Sequence, residues 1–94
     1  MPPDRFYEIV ESQRFRARMG ELSDVERWDE VMRAVMWALA RDPYEAGQPT
    51  SVPAIYALPT EPAPGTPAVV IYYMITDHQV DLIGLKPVTT ANDL

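Results

Sequence analysis

Tyr72, Tyr73, His78 and Lys86 all fall within AVVIYYMITDHQVDLIGLKPV, Ala68 to Val88. His78 is the chain's single histidine and Lys86 its single lysine. An imidazole titrates near neutrality and can accept or donate a proton. A phenol can hydrogen-bond or stack, and an ammonium can meet a phosphate. Each also has a plainer reading: His78 as a solvated turn residue, the tyrosines as sheet packing, Lys86 as a lysine guarding a strand edge.

Other clusters offer less. Arg14 and Arg18 share a helix face at i, i+4 and could bind an acidic partner or RNA, or could simply be solvated, with Arg16 alternating between them. Asp24, Glu26, Asp29 and Glu30 sit at a helix start, where acidic side chains suit the dipole, so a metal site is not expected. One histidine and no cysteine exclude a thiol nucleophile, a disulfide framework and a zinc cage. No Gly-rich phosphate loop, H-E-x-x-H or nucleophile elbow is present, and no cofactor is called for.

These groups need elements to hold them. Ala68–Thr76 is apolar on both faces of a strand, which predicts a central strand with Tyr72 and Tyr73 pointing oppositely. Asp77-His78 predicts a two-residue turn, and Gln79–Val88 the return strand. Arg5–Ser12 predicts a short strand, with a continuous helix from Pro3 to Met19 as the competing reading. Phe15, Met19 and Leu22 predict a short helix, weakened at its end by Gly20.

Ser23 and Glu26 form a capping box ahead of a second helix. Its apolar stripe runs through Val25, Trp28, Met32, Val35, Met36 and Leu39. Arg41 suits its C-terminal end, and Pro43 stops it. Trp28 and Trp37 lie about 180° apart at 100° per residue, so Trp37 is expected off the core stripe, under the loop or at an interface.

Seven of the ten prolines lie between Pro43 and Pro67, which predicts an ordered loop over the 44–53 stretch, a strand at Ala54–Thr60 and a further turn. The last six residues read as a loose tail.

With 94 residues, 47% hydrophobic, the chain is long enough for one modest core, so a single domain over 1–94 is expected. The order β-α-α-β-β-β predicts an α+β fold, two helices packed on one face of an antiparallel sheet. A net charge of −6 lowers the expectation of nucleic-acid binding, although seven arginines between Arg5 and Arg41 allow a local basic face. No membrane-spanning run or signal-peptide pattern is read, and a cytoplasmic location is expected.

The stretches ALARDPYEAGQP, IYALPT and TPAVVIYYMITDHQVDLIGLKPV, in this order, resemble the RelE/ParE superfamily of toxins from bacterial type II toxin–antitoxin modules. A helical hairpin ending in an Asp-Pro step, a loop into a strand, and a V-rich last strand carry the resemblance over about two-thirds of the chain. It implies a cognate antitoxin as partner, laid on the open sheet face or across the helices, and either ribosome-associated mRNA cleavage or gyrase poisoning. A homodimer stays open.

For an endoribonuclease, the resemblance puts the chemistry on Tyr73, His78 and Lys86, helped by Arg41. Where RNA-cleaving members carry an arginine near the start of the central strand, this chain has Ala68 or Val69. The basic residues around the last strand reduce to Lys86, no tyrosine follows Tyr73, and the first helix is short. The alternative is a non-catalytic protein-binding module that keeps the fold without the basic site.

Overall fold

The computed structural model describes residues 6–22, 27–62 and 68–87. Its elements are β1 (Glu8–Glu11), α1 (Gln13–Glu21), α2 (Trp28–Arg41), α3 (Pro43–Ala46), β2 (Gln48–Pro49), β3 (Tyr56–Pro59), β4 (Val69–Thr76) and β5 (Gln79–Pro87). Among the described residues, three helices and a five-stranded mixed sheet make an α+β fold in which the expected β-α-α-β-β-β order is present.

The sheet order is β1-β5-β4-β3-β2. From β2 to β5 every pairing is antiparallel, whereas β1 runs parallel to β5, with Ile9 opposite Val80. The two-residue turn obliges β4 and β5 to run antiparallel; β1 reaches the sheet through the helices and is free of that constraint.

α1 and α3 start at side-chain caps, whereas α2 starts after Arg27, which holds a left-handed φ of 63° and gives no side-chain cap. The Ser12 hydroxyl accepts the Phe15 amide at 3.0 Å and starts α1, a cap not anticipated from the sequence. The Ser23–Glu26 capping box lies outside the described residues. At the other end of α2, Asp42 leaves the helix and accepts the Glu45 amide, and Pro43 opens α3. Proline at a first helical position loses no hydrogen bond, so one Asp-Pro step both ends α2 and begins the next turn.

The expected loop after Pro43 thus contains α3 and the two-residue β2. The Thr50 hydroxyl, 2.9 Å from the Ile55 carbonyl, ties the β2–β3 connection.

The core lies between helices and sheet. Phe15 of α1 and Trp28, Met32, Val35 and Leu39 of α2 pack on Val69, Ile71, Tyr73, Val80, Leu82 and Leu85. The α2 stripe is the i, i+4, i+7, i+11 face read from the sequence.

The β4–β5 hairpin turns at Asp77-His78 as expected, with Asp77 at a φ of 27°. Its register shifts between Tyr72, opposite Gly84, and Tyr73, opposite Leu82, so Ile83 is an extra residue. That bulge changes the parity of β5: Val80 and Leu82 point inward before it, Leu85 after it.

Candidate functional site

The two tyrosines part company at β4. Tyr73 is wholly buried on the helical side, and its hydroxyl donates to the Pro43 carbonyl at 2.6 Å. Its ring stacks on Tyr56 at 5.6 Å, and Tyr56 meets Tyr44 edge-on at 6.0 Å. Burial pushes the Tyr73 pKa from 10.0 up to about 12. In this place the phenol is a structural donor and is closed off from any substrate. Tyr72, one residue earlier, is half-buried on the opposite, open face.

His78 is exposed at the hairpin turn, its ring 6.5 Å from that of Tyr7, and its carbonyl accepts the Glu8 amide. Lys86 lies at the other end of the hairpin, opposite Val70. From Val70 to Thr76 at the turn, β4 extends about 20 Å at the rise of an extended strand. Arg41 lies on the outward side of α2 with its guanidinium carbon 4.5 Å from the Trp37 ring centroid. The four residues the resemblance pointed to therefore do not converge. His78 and Lys86 are too far apart to act on one phosphate.

A different group does converge on Lys86. Beyond Leu82, β5 has no partner in β1, and α1 runs along that free edge. Arg18 donates from Nε to the Leu85 carbonyl at 3.2 Å and from Nη1 to Glu21 at 3.1 Å, which fixes its guanidinium at the strand edge. Arg14, one turn earlier, shares that side. Arg14, Arg18, Tyr72, Gly84, Leu85 and Lys86 line a cleft of about 480 Å³ between α1 and the open sheet face.

Neither Arg14 nor Lys86 forms an ion pair among the described residues. Three cations and a phenol face one hollow, and none of the described residues that line it carries a carboxylate. Such a site can hold a phosphodiester and offers a ring face to a base.

The remaining sequence candidates take structural places. Arg16 reaches Glu11 at 3.8 Å. Asp29 and Glu30 lie exposed in the first turn of α2, and Glu30 pairs with Arg27 at 2.8 Å. Asp24 and Glu26 lie outside the described residues. Trp28 is 3% exposed and Trp37 62%, the separation expected from their spacing.

In the sequence the Arg14–Arg18 pair and Lys86 stand out separately, with nothing to join them. Only the docking of α1 on the bulged end of β5 brings them together. Alternation could tell that one tyrosine faces inward, but with both faces of β4 apolar it could not tell which.

No known family's sequence model matches this chain, and no curated protein matches it. Among solved structures, the E. coli toxin RelE, in the free state and with two arginines replaced by alanine, is similar with a TM-score of 0.66 and 17% identity. The similarity covers 86% of this chain and 82% of that one. The chain has a RelE-like fold.

Proposed function

We propose that this chain is a toxin-like component of a bacterial type II toxin–antitoxin module, and that it acts on RNA through the α1–β5 cleft. The cleft carries the reading: Arg14, Arg18 and Lys86 gather on one hollow of an acidic chain, beside an accessible tyrosine. Arg14, Arg18 and Lys86 hold the phosphodiester and offset the charge of a pentacoordinate phosphorus. Tyr72 stacks a neighbouring base and is the proton-transfer group nearest that phosphate.

In cleavage, the ribose 2′ oxygen attacks phosphorus, its proton passes to a base, and the bond to the 5′ oxygen breaks with protonation of that oxygen. The products are a 2′,3′-cyclic phosphate and a 5′ hydroxyl. A cognate antitoxin is the protein partner in this reading.

One observation favours a second reading, a non-catalytic binding module. The chain's imidazole stands at the far end of the hairpin, so the cleft lacks a side chain that titrates near neutrality without a large shift. Induced expression in bacteria, with cellular messenger RNA ends mapped, separates the two. Growth arrest with new 5′-hydroxyl ends, both lost in Lys86→Ala, supports the ribonuclease. Arrest with intact messenger RNA directs attention to gyrase or another target, and no arrest removes the toxin reading.

A further inference from the structure

Of the chain's eight basic residues, seven are arginines and one is a lysine. The lysine is the one on the strand side of the cleft, across from Arg14 and Arg18 of α1. The two side chains differ in chemistry as well as shape. A guanidinium stays charged, whereas a lysine amine that has lost its proton is a nucleophile for acyl carbonyls. Lys86 is exposed and forms no ion pair among the described residues, so its amine is open to a reagent in solution.

The hollow is built to gather one class of such reagent. Arg18 is held by the Leu85 carbonyl at 3.2 Å and by Glu21 at 3.1 Å, so its guanidinium keeps one place at the strand edge. Leu85 is the residue before Lys86, and Arg14 lies one turn away on α1. A phosphate resting on these guanidiniums therefore lies beside the lysine. In an acyl phosphate the electrophilic carbonyl is bonded to that same phosphate.

We propose that Lys86 is an acylation site, and that the cleft itself selects an acyl phosphate as the donor. Arg14 and Arg18 bind the phosphate end. The neutral amine of Lys86 attacks the acyl carbonyl carbon. A carbon–nitrogen bond forms, the carbon–oxygen bond to phosphate breaks, and inorganic phosphate leaves with that electron pair. The extra proton on nitrogen passes to solvent, and nothing is oxidised or reduced. The guanidiniums that held the donor stabilise the charge growing on the leaving phosphate. The product is an uncharged amide, so the cleft keeps Arg14 and Arg18 and loses its third cation. Acylation rests on the cleft of the proposed function, needing its affinity for phosphate but not its action on RNA.

The test uses the intact chain and acetyl phosphate, with acetyl groups located by peptide mass spectrometry. Lys86 should be acetylated about tenfold or more faster than the lysine of a free peptide spanning Gly84 to Val88. The rate should saturate with acetyl phosphate and fall when inorganic phosphate is added. Arg14→Ala should slow it about tenfold, the effect of losing one charged hydrogen bond to the donor. An uncharged acetyl thioester, which the guanidiniums do not hold, should acetylate the parent and Arg14→Ala alike. Circular dichroism of Arg14→Ala should stay that of the parent.

Acetylation of Lys86 no faster than that of the peptide overturns the proposal, as does a rate that responds to neither inorganic phosphate nor Arg14→Ala. RNA affinity of the same preparations keeps the two readings apart. Fast acetylation that lowers RNA affinity as Lys86→Gln does supports both. Fast acetylation of a chain that does not bind RNA leaves the acylation site standing and removes the RNA reading, and RNA binding without fast acetylation does the reverse.

Discussion

The Tyr73 hydroxyl donates a 2.6 Å hydrogen bond to the Pro43 carbonyl, thirty residues earlier in the chain. The bond ties β4, near the centre of the sheet, to the proline that opens α3, and Pro43 is itself buried. The phenol that the family resemblance pointed to as a catalytic group serves here as a clasp between layers. Removing it in Tyr73→Phe leaves a buried carbonyl without a donor, and the expected cost is about 1–3 kcal/mol. Urea denaturation should show the loss, while RNA binding by the folded fraction stays at the parental level.

The same clasp makes stability depend on alkaline pH. Burial raises the Tyr73 pKa from 10.0 to about 12, outweighing the Gly47 backbone hydrogen bond that favours the phenolate. The folded chain holds this proton more tightly than the unfolded chain. The contribution is therefore complete below the unfolded value of 10.0 and is lost as pH climbs through about 12. Thermal melts across that window should fall steeply for the parent and less steeply for Tyr73→Phe.

Gly47 stands against the clasp. A Cβ there would collide with the Tyr73 hydroxyl and lie 2.6 Å from the Ala57 carbonyl oxygen. The backbone at Gly47, with φ at −123°, is ordinary for any residue, so the demand for glycine is one of space. Gly47→Ala should cost about 1–3 kcal/mol, as overpacking does. Combining it with Tyr73→Phe should cost less than the sum of the two, because the second change removes one of the two colliding atoms. Full additivity in urea melts would count against this contact.

The local rules of the sequence carried the meander, the Asp77-His78 turn and the core stripe of α2. Val69, Ile71 and Tyr73 alternate, and Trp28, Met32, Val35 and Leu39 recur at helical spacing, each pattern visible within a few residues. The direction of β1 was not legible, because no tight turn links it to its neighbour. The Ile83 bulge was equally hidden, since Ile83 and Gly84 break no alternation strongly enough to announce an extra residue. The candidate site was half legible. Arg14, Arg18 and Lys86 each stood out, but their meeting depends on where α1 lies against β5, a tertiary fact. His78 and Arg41 drew attention by residue type and come to lie elsewhere.

RNA held by Arg14, Arg18 and Lys86 should show the salt dependence of counterion release. Lys86→Ala and Arg14→Ala are each expected to weaken binding to a single-stranded oligonucleotide. Each should also flatten the plot of log affinity against log salt by about 0.7, the value for one phosphate contact on a single strand. Arg18→Ala should do the same and also lower stability, since Arg18 holds the Leu85 carbonyl. His78→Ala, at the far end of the hairpin, should leave the slope unchanged. Fluorescence anisotropy over a range of salt concentrations checks all four, and an unchanged slope in Lys86→Ala would remove Lys86 from the site.

Tyr72 separates stacking from proton transfer. Its ring lies beside Gly84, where a Cβ would stand 3.7 Å from the ring edge, in ordinary contact with it. Tyr72→Phe keeps the ring and removes the hydroxyl; Tyr72→Ala removes both. If the ring only stacks, Phe should bind RNA as the parent does, and Ala should lose about 1–3 kcal/mol of affinity. If the hydroxyl also moves a proton, Tyr72→Phe should keep that affinity and lose cleavage about a hundredfold or more, the lower range for a general acid or base. Binding isotherms and single-turnover cleavage on the same two variants decide between these outcomes. A Tyr72→Phe chain that cleaves at the parental rate confines Tyr72 to positioning the base and leaves the proton transfers to Lys86, the arginines or solvent.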